Sequence, residues 1–369
     1  MPNGTSMFGL ASLLLLCACG DGEDRDAARG TEDNERASLP LTGSCAAANG
    51  IHPVCGFMNP EDLAVLPGGE KLLVSEMAAF MSDAPGTLSL LDVASDTREP
   101  ITTVWDNQGV MWGDPNCSPP TPARFSPHGI HLMTRADGRH QVLAVNHGDE
   151  QVEFFELSAP DDQWQLDWRG CAKPPDDPFI NDVAGLNDGG FLVTQMWNKS
   201  TPFDDVVAQL NARQNTGWVW EWQPDSGFNK LPNSDELMPN GITVNPDNSK
   251  IFVNIYMGNR HIRIDRASGV VDGQFEVPSP DNVEYGPDGN LWIASHLNDP
   301  VEGRCAEGHA GPCLLPFQII KADPATMQPE VVFEHVGEPM GYVTVALPHQ
   351  GRLYFGTASG DRLAWVAIE

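Results

Sequence analysis

Residues 279–296 read SPDNVEYGPDGNLWIASH, and the type of fold can be inferred from this pattern. An apolar strand is followed by a turn of Gly, Pro and Asp and then by a second apolar strand, which is typical of a β-hairpin. The pattern recurs in five further stretches, at residues 63–76, 130–147, 183–195, 242–256 and 343–357. Six matching hairpins indicate a repeat architecture.

Further strands follow each hairpin. The third strands are predicted at 87–93, 152–157, 218–222, 261–265, 317–322 and 362–368, and weaker fourth strands include 271–277 and 330–334. Groups of about four strands without amphipathic helices between them predict an all-β, six-bladed β-propeller with a central tunnel. A β-sandwich would not account for the six matching turns. Because 362–368 is a third strand at the chain end, segment 45–56 is expected to supply the fourth strand of that blade and close the ring.

Composition excludes several classes of partner and fold. The 369 residues contain 21 Lys+Arg and 51 Asp+Glu, giving a formal net charge of -30. A nucleic acid or an anionic membrane surface is therefore not expected as a partner, because the charges would repel. With 41% hydrophobic residues, 36 Gly and 31 Pro, the chain can bury a large core while making many tight turns.

The amino end reads as a targeting segment. The apolar run 10–18 is too short to span a bilayer, and Leu16-Cys17-Ala18-Cys19 resembles a bacterial lipobox, although no Lys or Arg precedes it. We expect a lipoprotein signal peptide at 1–18, an acidic flexible tether at 19–44 and a propeller domain at 45–369. The expected location is the bacterial cell envelope, on the periplasmic side or at the outer membrane, through a lipid anchor on Cys19. Plain secretion is the alternative.

The cysteine count fits an exported protein. Removing residues 1–18 and the acylated Cys19 leaves six of the eight cysteines, an even number that suggests disulfides. No CxxC pair occurs among them, which argues against a zinc ribbon. Six cysteines allow fifteen pairings. The pairing that we favour is Cys45 with Cys55, Cys117 with Cys171, and Cys305 with Cys313.

Polar residues stand at the beginning of the predicted inner strands. These six segments should converge at one mouth of the tunnel, and five of them carry a carboxylate, an amide or an imidazole, whereas Pro339-Met340-Gly341-Tyr342 carries none. Carboxylate and amide oxygens without thiols are the donors that calcium prefers. The predicted calcium ligands, from four blades, are Glu61, Asn181, Asn240, Asp281 and Asn282.

Two carboxylates directly follow predicted ligands. Neighbouring side chains on a strand point to opposite faces, so Asp62 and Asp182 are candidates for a second, deeper calcium. At any single position, the alternative is an Asn or Asp that only hydrogen-bonds the turn backbone at the start of a strand.

Two histidines are expected to be neighbours at the same mouth. His128 precedes the inner strand of the second blade, and His147 ends the adjacent strand. An imidazole with a pKa near 6.5 is suited to accepting a proton from water, and a second imidazole can orient or relay it. His131 should face away and pack. For His296 a pocket-lining role and a surface role stay open.

Long connections are expected on the same face. They cover 106–125, 196–217 and 297–316, and long loops in compact domains are usually functional or disordered. Apolar side chains on them either wall a substrate pocket or only pack the loops: Met111, Trp112, Met196 and Trp197.

Together these stretches resemble the serum paraoxonase family of calcium-dependent lactonases and arylesterases, within the wider gluconolactonase-like (SMP-30-type) propellers. The resemblance runs from residue 59 to 369 in family order. The stretches that carry it are 60–69 (PEDLAVLPGG), 125–130 (FSPHGI), 145–147 (VNH), 181–183 (NDV), 239–242 (PNGI) and 281–283 (DNV). The Pro-His-Gly and Asn-His elements are more specific to paraoxonases than the metal ligands.

The resemblance implies roles for individual residues. It implies a catalytic calcium on Glu61, Asn181, Asn240, Asp281 and Asn282. It implies a structural calcium on Asp62, Asp182 and the backbone carbonyl of Ile130. His128 and His147 match the histidine dyad of the family.

Two features depart from the family pattern. The family joins its first and last strands by a disulfide, yet this chain has no cysteine near Glu369, so ring closure must rely on strand pairing and Cys45–Cys55 would be a local clip. Gln195-Met196-Trp197 also replaces a more polar family stretch, which bears on substrate preference.

The resulting hypothesis is a metal-dependent hydrolase of small lactones or aryl esters. Calcium would polarise the carbonyl, and His128 would activate water, or Asp281 would act as nucleophile or base. The alternatives are a gluconolactonase-like sugar lactonase and a non-catalytic, calcium-stabilised propeller that binds a partner.

Overall fold

The computed structural model describes residues 44–78, 84–106, 109–298, 305 and 311–368. The predicted signal peptide at 1–18, Cys19 and all of the predicted tether except Ser44 lie outside the described residues. Within the described part, strands account for nearly all regular secondary structure.

The strands follow one another in hairpins. In chain order they are β1 (His52–Cys55), β2 (Pro60–Val65), β3 (Lys71–Glu76), β4 (Thr87–Asp92), β5 (Thr97–Pro100), β6 (Thr102–Val104), β7 (Pro127–Thr134), β8 (His140–Asn146), β9 (Gln151–Ser158), β10 (Gln165–Ala172), β11 (Pro178–Gly185), β12 (Phe191–Asn198), β13 (Trp218–Gln223), β14 (Gly227–Lys230), β15 (Pro239–Val244), β16 (Lys250–Ile255), β17 (Arg260–Asp265), β18 (Val270–Glu276), β19 (Pro280–Tyr285), β20 (Leu291–His296), β21 (Phe317–Asp323), β22 (Gln328–His335), β23 (Val343–His349), β24 (Arg352–Thr357) and β25 (Arg362–Ala367). One α-helix of the described residues, α1 (Phe203–Asn211), lies between β12 and β13.

The strands form six sheets, which are the blades of the predicted propeller, and the first four strands of every sheet pair antiparallel. Each sheet begins with an inner strand, and these inner strands are β2, β7, β11, β15, β19 and β23. In the sixth blade the order is β23, β24, β25 and β1, with His52 opposite Trp365 and Cys55 opposite Arg362. The amino-terminal strand therefore closes the ring by strand pairing, as the sequence predicted.

The second blade carries a fifth strand. The short strand β6 pairs in parallel with β10, with Gln165 opposite Thr102 and Asp167 opposite Val104. It covers an edge of β10 that would otherwise expose unpaired backbone groups. The sequence did not predict this strand, because three residues next to Pro100 carry too little pattern.

The core is divided among the blade interfaces. In the described residues, six apolar clusters each join two adjacent blades, as when Leu73 of blade one packs with Val142 of blade two. Both faces of every blade are therefore buried, which explains why the second strands are continuous apolar runs. Burying one such side chain contributes about 1.5–3 kcal/mol.

The helix α1 was not predicted. Pro202 precedes it, and Asp204 and Asp205 lie in its first turn, where the helix dipole favours negative charge. Val206 and Leu210, four residues apart, are buried in the cluster between blades three and four. These helix signals were present in the sequence, but nine residues are too few for a periodic pattern to stand out.

The three favoured disulfides are present, namely Cys45–Cys55, Cys117–Cys171 and Cys305–Cys313. Three disulfides are typical of a protein that is exported into an oxidising environment.

Among the residues that the structure describes, no helix combines the length and the apolar character needed to cross a bilayer.

Candidate active site at the tunnel mouth

A β-bulge at the same place in every inner strand shapes the mouth. In each blade two residues three positions apart on the inner strand lie opposite positions only two apart on the second strand, as with Pro239 opposite Ile255 and Ile242 opposite Val253. The same shift occurs in the other five blades. A bulge bends the strand and re-aims its side chains. The residues inside the bulge are Glu61 and Asp62, His128 and Gly129, Asn181 and Asp182, Asn240 and Gly241, Asp281 and Asn282, and Thr344 and Val345.

Glycine at two of these positions lets neighbouring inner strands approach closely. A Cβ on Gly129 would lie 2.4 Å from Asp182 Oδ1, and a Cβ on Gly241 would lie 2.4 Å from the carbonyl oxygen of Asp281. Both distances are far below van der Waals contact. The close approach brings the polar residues of adjacent blades to one place.

Most of the predicted calcium ligands are in mutual contact. Asn282 Nδ2 donates a 2.8 Å hydrogen bond to Glu61 Oε1, and His128 Nε2 lies 3.4 Å from the same oxygen. Asn240 donates a side-chain hydrogen bond to Asp281. The position of Asn181 rests on its equivalent place in the bulge of β11. All five are buried.

Four of these side chains present a buried oxygen that lacks a hydrogen-bond donor among the described residues. We call them the upper set, and they are Glu61 (Oε2), Asn181 (Oδ1), Asn240 (Oδ1) and Asn282 (Oδ1). A buried oxygen without a partner costs about 1–3 kcal/mol, so four in one site call for a bound group. The donor set of carboxylate and amide oxygens fits calcium.

The electrostatics of Asp281 also indicate that the site is suited to a cation. Burial, and after it the charge of Glu61, raises the pKa of Asp281 well above its usual range. A divalent cation would offset both causes. In the described residues, no three His, Cys, Asp or Glu side chains form a metal cluster by themselves, so such a site depends on the asparagine oxygens.

The predicted deeper calcium site is arranged differently. We call Asp62 and Asp182 the lower pair. Asp62 accepts hydrogen bonds of 2.7 Å from the amides of Leu63 and Ile130, and Asp182 accepts 2.7 Å bonds from those of Val183 and Ile242. Each carboxylate thus joins its own blade to the next, and the side-chain oxygens already have donors. The orphaned oxygens that support calcium at the upper set are not found at the lower pair.

Burial raises the pKa values of both lower aspartates well above their usual range, and the nearby Glu61 and Asp62 charges add to it. Sequence reasoning missed a further carboxylate at this depth. The pKa of Glu284 is raised in the same way by burial and by Asp62 and Asp182, which places Glu284 close to the lower pair. Its position in β19, after the predicted ligand Asn282, was the available signal.

The two histidines lie against each other. His128 Nδ1 and His147 Nε2 are hydrogen-bonded, and the ring centroids are 4.7 Å apart. Burial alone would lower the pKa of His128, but the adjacent Glu61 raises it above its usual value. Burial lowers the pKa of His147 despite the opposing charge of Glu150.

An aromatic stack lies behind His147. Phe179 stacks on His147 at 4.8 Å and Trp197 stacks on Phe179 at 4.7 Å, while Phe203 of α1 packs beside Trp197. Trp197 therefore contributes to the apolar surroundings of the mouth. For Trp112, of the two roles left open, the contacts favour loop packing. Trp112 packs under Arg135 and Arg139, which follow β7 at the end opposite to His128.

His296 lies on the other side of the site and is buried. Its Nε2 lies 3.6 Å from Asp281 Oδ2 and 3.0 Å from the carbonyl oxygen of Val343, and Tyr256 Oη lies 2.9 Å from its Nδ1. Tyr342 stacks on the ring at 4.2 Å. Burial lowers the pKa of His296 to about 4, so the imidazole is neutral at pH 7. Of the two roles left open for His296, these contacts favour the one at the site.

The sixth blade also supplies a polar residue, contrary to the sequence expectation. The stretch 339–342 is not equivalent to the other strand starts, because β23 begins at Val343 and its bulge contains Thr344. The Thr344 hydroxyl donates a 2.7 Å hydrogen bond to the carbonyl of Glu61. The offset was invisible in the sequence, since Val343 lacks the proline that four of the other inner strands have at the equivalent position.

Comparisons with known proteins agree with this architecture. A gluconolactonase from Xanthomonas campestris matches with a TM-score of 0.52 at 16% identity, over 86% of this chain and 89% of that one. A luciferin-regenerating enzyme matches with a TM-score of 0.53 at 11% identity, over 86% and 95% of the two chains. At these identities the likeness shows the fold.

Two further matches are at the level of the amino-acid sequence. The protein STRICTOSIDINE SYNTHASE-LIKE 4 of Arabidopsis thaliana is 21% identical over 279 residues, which cover 70% of this chain and 66% of that protein, just under two thirds of its length. The family model described as Arylesterase matches residues 57–359, which include every predicted site residue and all strands except β1 and β25 of the sixth blade. The predicted resemblance is confirmed, and the chain belongs to the arylesterase family.

Proposed function

We propose that this protein is a calcium-dependent hydrolase of lactones and aryl esters. The observation that carries the proposal is the upper set, whose four buried oxygens lack donors and come from four inner strands. Membership of the arylesterase family supports hydrolysis. The calcium ion and the reaction are the proposed part.

Glu61, Asn181, Asn240, Asp281 and Asn282 would hold the calcium. When bound there, calcium would supply Lewis-acid polarisation of the ester carbonyl and stabilise the negative charge that develops on its oxygen. Because the ligands are mostly neutral amides, the site would keep part of the cation charge available to the substrate.

His128 is the proposed general base. It is buried beside Glu61 and backed by His147, so it can accept a proton from water through Nε2, the nitrogen that faces the site. Asp281 is the alternative, as nucleophile or base, because its carboxylate lies at the same level beside Asn240 and His296.

Substrate preference is proposed from the surroundings of the mouth. Phe179 and Trp197 stack behind His147, and Tyr342 stacks on His296. Aromatic surfaces on both sides favour an apolar acyl or aryl group over a polyhydroxy sugar.

The test is a hydrolysis panel of an aliphatic lactone, an aryl acetate and an aldonolactone, each with calcium and with excess chelator. We expect the first two to be hydrolysed only with calcium. His128→Gln should lower kcat by about 100-fold or more, whereas His131→Gln, on the same strand but packed against Gly185, should not.

Four results would overturn parts of the proposal. Undiminished turnover in chelator would reject metal dependence. A preference for the aldonolactone would indicate a sugar lactonase. Calcium that raises the melting temperature without turnover of any panel member would indicate a non-catalytic propeller. Full activity of His128→Gln would leave Asp281 as the base or nucleophile.

We also propose that the propeller is exported and held at the cell envelope by a lipid on Cys19. The lipobox-like stretch 16–19 and the three disulfides support this proposal. Fractionation after Cys19→Ser tests it. We expect the variant to move from the membrane to the soluble fraction, and an unchanged membrane fraction would reject the anchor.

A further inference from the structure

We propose that Glu150 is a positioning residue that sets the proton order of the His128–His147 pair. The inference rests on the proposed function, in which His128 accepts a proton from water. It starts from the short turn after β8, where Glu150 is buried with 5% of its surface exposed. Glu150 Oε1 lies 3.2 Å from His147 Nδ1, the ring nitrogen that faces away from His128.

Three groups from different elements hold the Glu150 carboxylate. Ile180 of β11 donates its backbone N–H to Oε2 at 3.1 Å, and His147 contacts Oε1. Lys199, which follows β12, donates to Oε1 at 3.0 Å and to the carbonyl oxygen of His147 at 3.1 Å. The carboxylate is thereby oriented, and its charge is paired despite its burial.

The carboxylate determines which nitrogen of each imidazole carries hydrogen. An ionised carboxylate only accepts hydrogen bonds, so His147 must carry hydrogen on Nδ1 and present a lone pair at Nε2. His128 then donates from Nδ1 to His147 Nε2, and in the neutral ring its own Nε2, which lies 3.4 Å from Glu61 Oε1, carries no hydrogen. That is the form in which His128 can accept a proton from water.

The same arrangement accommodates the transferred proton. When His128 Nε2 takes a proton from water, its Nδ1 proton can pass to His147 Nε2, and the positive charge then lies next to the Glu150 carboxylate. The remaining hydroxide attacks the ester carbonyl, so the proton and the electron pair are both accounted for. The logic is that of a carboxylate that orients a catalytic imidazole and stabilises its charged form.

The fourth blade shows that backbone bracing alone does not need a glutamate. Asn259 occupies the equivalent turn after β16, and its Oδ1 accepts the backbone N–H of Ser279 at 2.9 Å, as Glu150 accepts that of Ile180. Both residues have positive φ, +52° and +49°. Asn adopts this conformation more readily than Glu. The turn itself therefore does not require the longer, charged side chain of Glu150. The contact that Glu150 makes and Asn259 lacks is the one to the imidazole of His147.

This comparison supplies the decisive variant. Glu150→Asn should keep the turn and a side-chain acceptor for a backbone N–H at the start of β11, as Asn259 has for Ser279, but lose the contact to His147. We expect kcat on the aliphatic lactone to fall about tenfold or more with KM within about twofold, while loss of the partly exposed ion pair to Lys199 lowers the melting temperature only slightly. Glu150→Gln still offers an oxygen to the Nδ1 hydrogen and should retain more activity than Glu150→Asn.

A matched control lies in the first blade. Glu76 is also buried, accepts the backbone N–H of Met58 at 2.8 Å and pairs with Arg98 at 2.7 Å, with no imidazole in these contacts. Glu76→Gln should leave kcat unchanged. Equal kcat for Glu150→Asn and the wild type, at equal stability, would overturn the inference.

A second readout does not depend on turnover. With ¹⁵N-labelled histidine, NMR should show His147 hydrogen on Nδ1 in the wild type and loss of that form in Glu150→Asn, with His147→Asn giving the assignment. A wild-type His147 with hydrogen on Nε2 would overturn the inference even if every substrate is hydrolysed. Conversely, the expected spectrum in a protein without turnover would contradict the proposed function and leave the positioning role intact.

Discussion

The upper set and the lower pair are built from the same bulges, yet they use their oxygens differently. Glu61 and Asp62 are consecutive residues, but Glu61 Oε2 lacks a donor among the described residues, whereas both oxygens of Asp62 accept strand amides. Asn181 and Asp182 repeat the contrast. A buried acceptor that already has its donors contributes to the fold, and one without a donor is available to a ligand. The comparison separates oxygens that connect the blades from oxygens without a donor, one residue apart.

The largest effect is expected at the upper set. Glu61→Gln removes its one carboxylate and should lower kcat/KM with calcium by about 100-fold or more, because the metal loses a charged ligand. Without calcium the variant should be at least as stable as the wild type, since the repulsion of Glu61 on Asp281 and Asp62 is removed. Steady-state kinetics and urea unfolding measure both, with Glu76→Gln as control. Wild-type activity would contradict the assignment.

The lower pair should show a structural loss instead. Asp182→Ala leaves the amides of Val183 and Ile242 without an acceptor, and we expect it to lower the free energy of unfolding by about 1–3 kcal/mol. The loss should be the same with and without calcium in urea titrations. A loss that appears only with calcium would instead indicate that the lower pair binds a second ion.

The stabilisation by calcium should also depend on pH, because Asp281 is one of the proposed ligands. Folding raises the pKa of the Asp281 carboxyl. Without metal, the folded state therefore binds more protons than the unfolded state above pH 3.8. The contribution of Asp281 to the free energy of unfolding then falls as pH rises towards the folded pKa. Calcium requires the ionised carboxylate, so its stabilising effect should increase from pH 6 to pH 8. We expect the difference in melting temperature with and without calcium to grow by a few degrees from pH 6 to pH 8, since each kcal/mol of added stability raises the melting temperature by about 2–4 °C. A difference that shrinks with rising pH would contradict this linkage.

The smallest effect is expected at the sixth blade. Thr344→Val removes the hydrogen bond to the Glu61 carbonyl, which is worth about 0.5–1.5 kcal/mol, so kcat/KM should fall by less than about tenfold. Thr344→Ser keeps the hydroxyl and should retain wild-type kinetics. A loss as large as that of Glu61→Gln would place Thr344 in the upper set itself.

The contacts of Glu150 show where sequence reasoning ends. Nothing around Glu150 distinguishes it from other turn residues, because its partners Ile180 and Lys199 lie 30 and 49 positions away. Thr344 was missed for a related reason, since its equivalence to Glu61 depends on where the pairing shifts in β23. Both depend on register and on neighbouring blades, which are not local properties of the chain.

Hairpin signals and alternating apolar residues were sufficient, by themselves, to predict six blades, the closing strand β1 and the polar residues at five of the six strand starts. Those features depend on local backbone preference and on burial of both blade faces, which the residue pattern records. Which oxygens have donors and which do not was settled only in the assembled ring. Gly129 and Gly241 admit the adjacent strands, and the amides of Ile130 and Ile242 reach the lower pair but not Glu61 Oε2 or Asn181 Oδ1. The physical reason is that a hydrogen bond needs two groups within about 3 Å, and here the two groups belong to different blades.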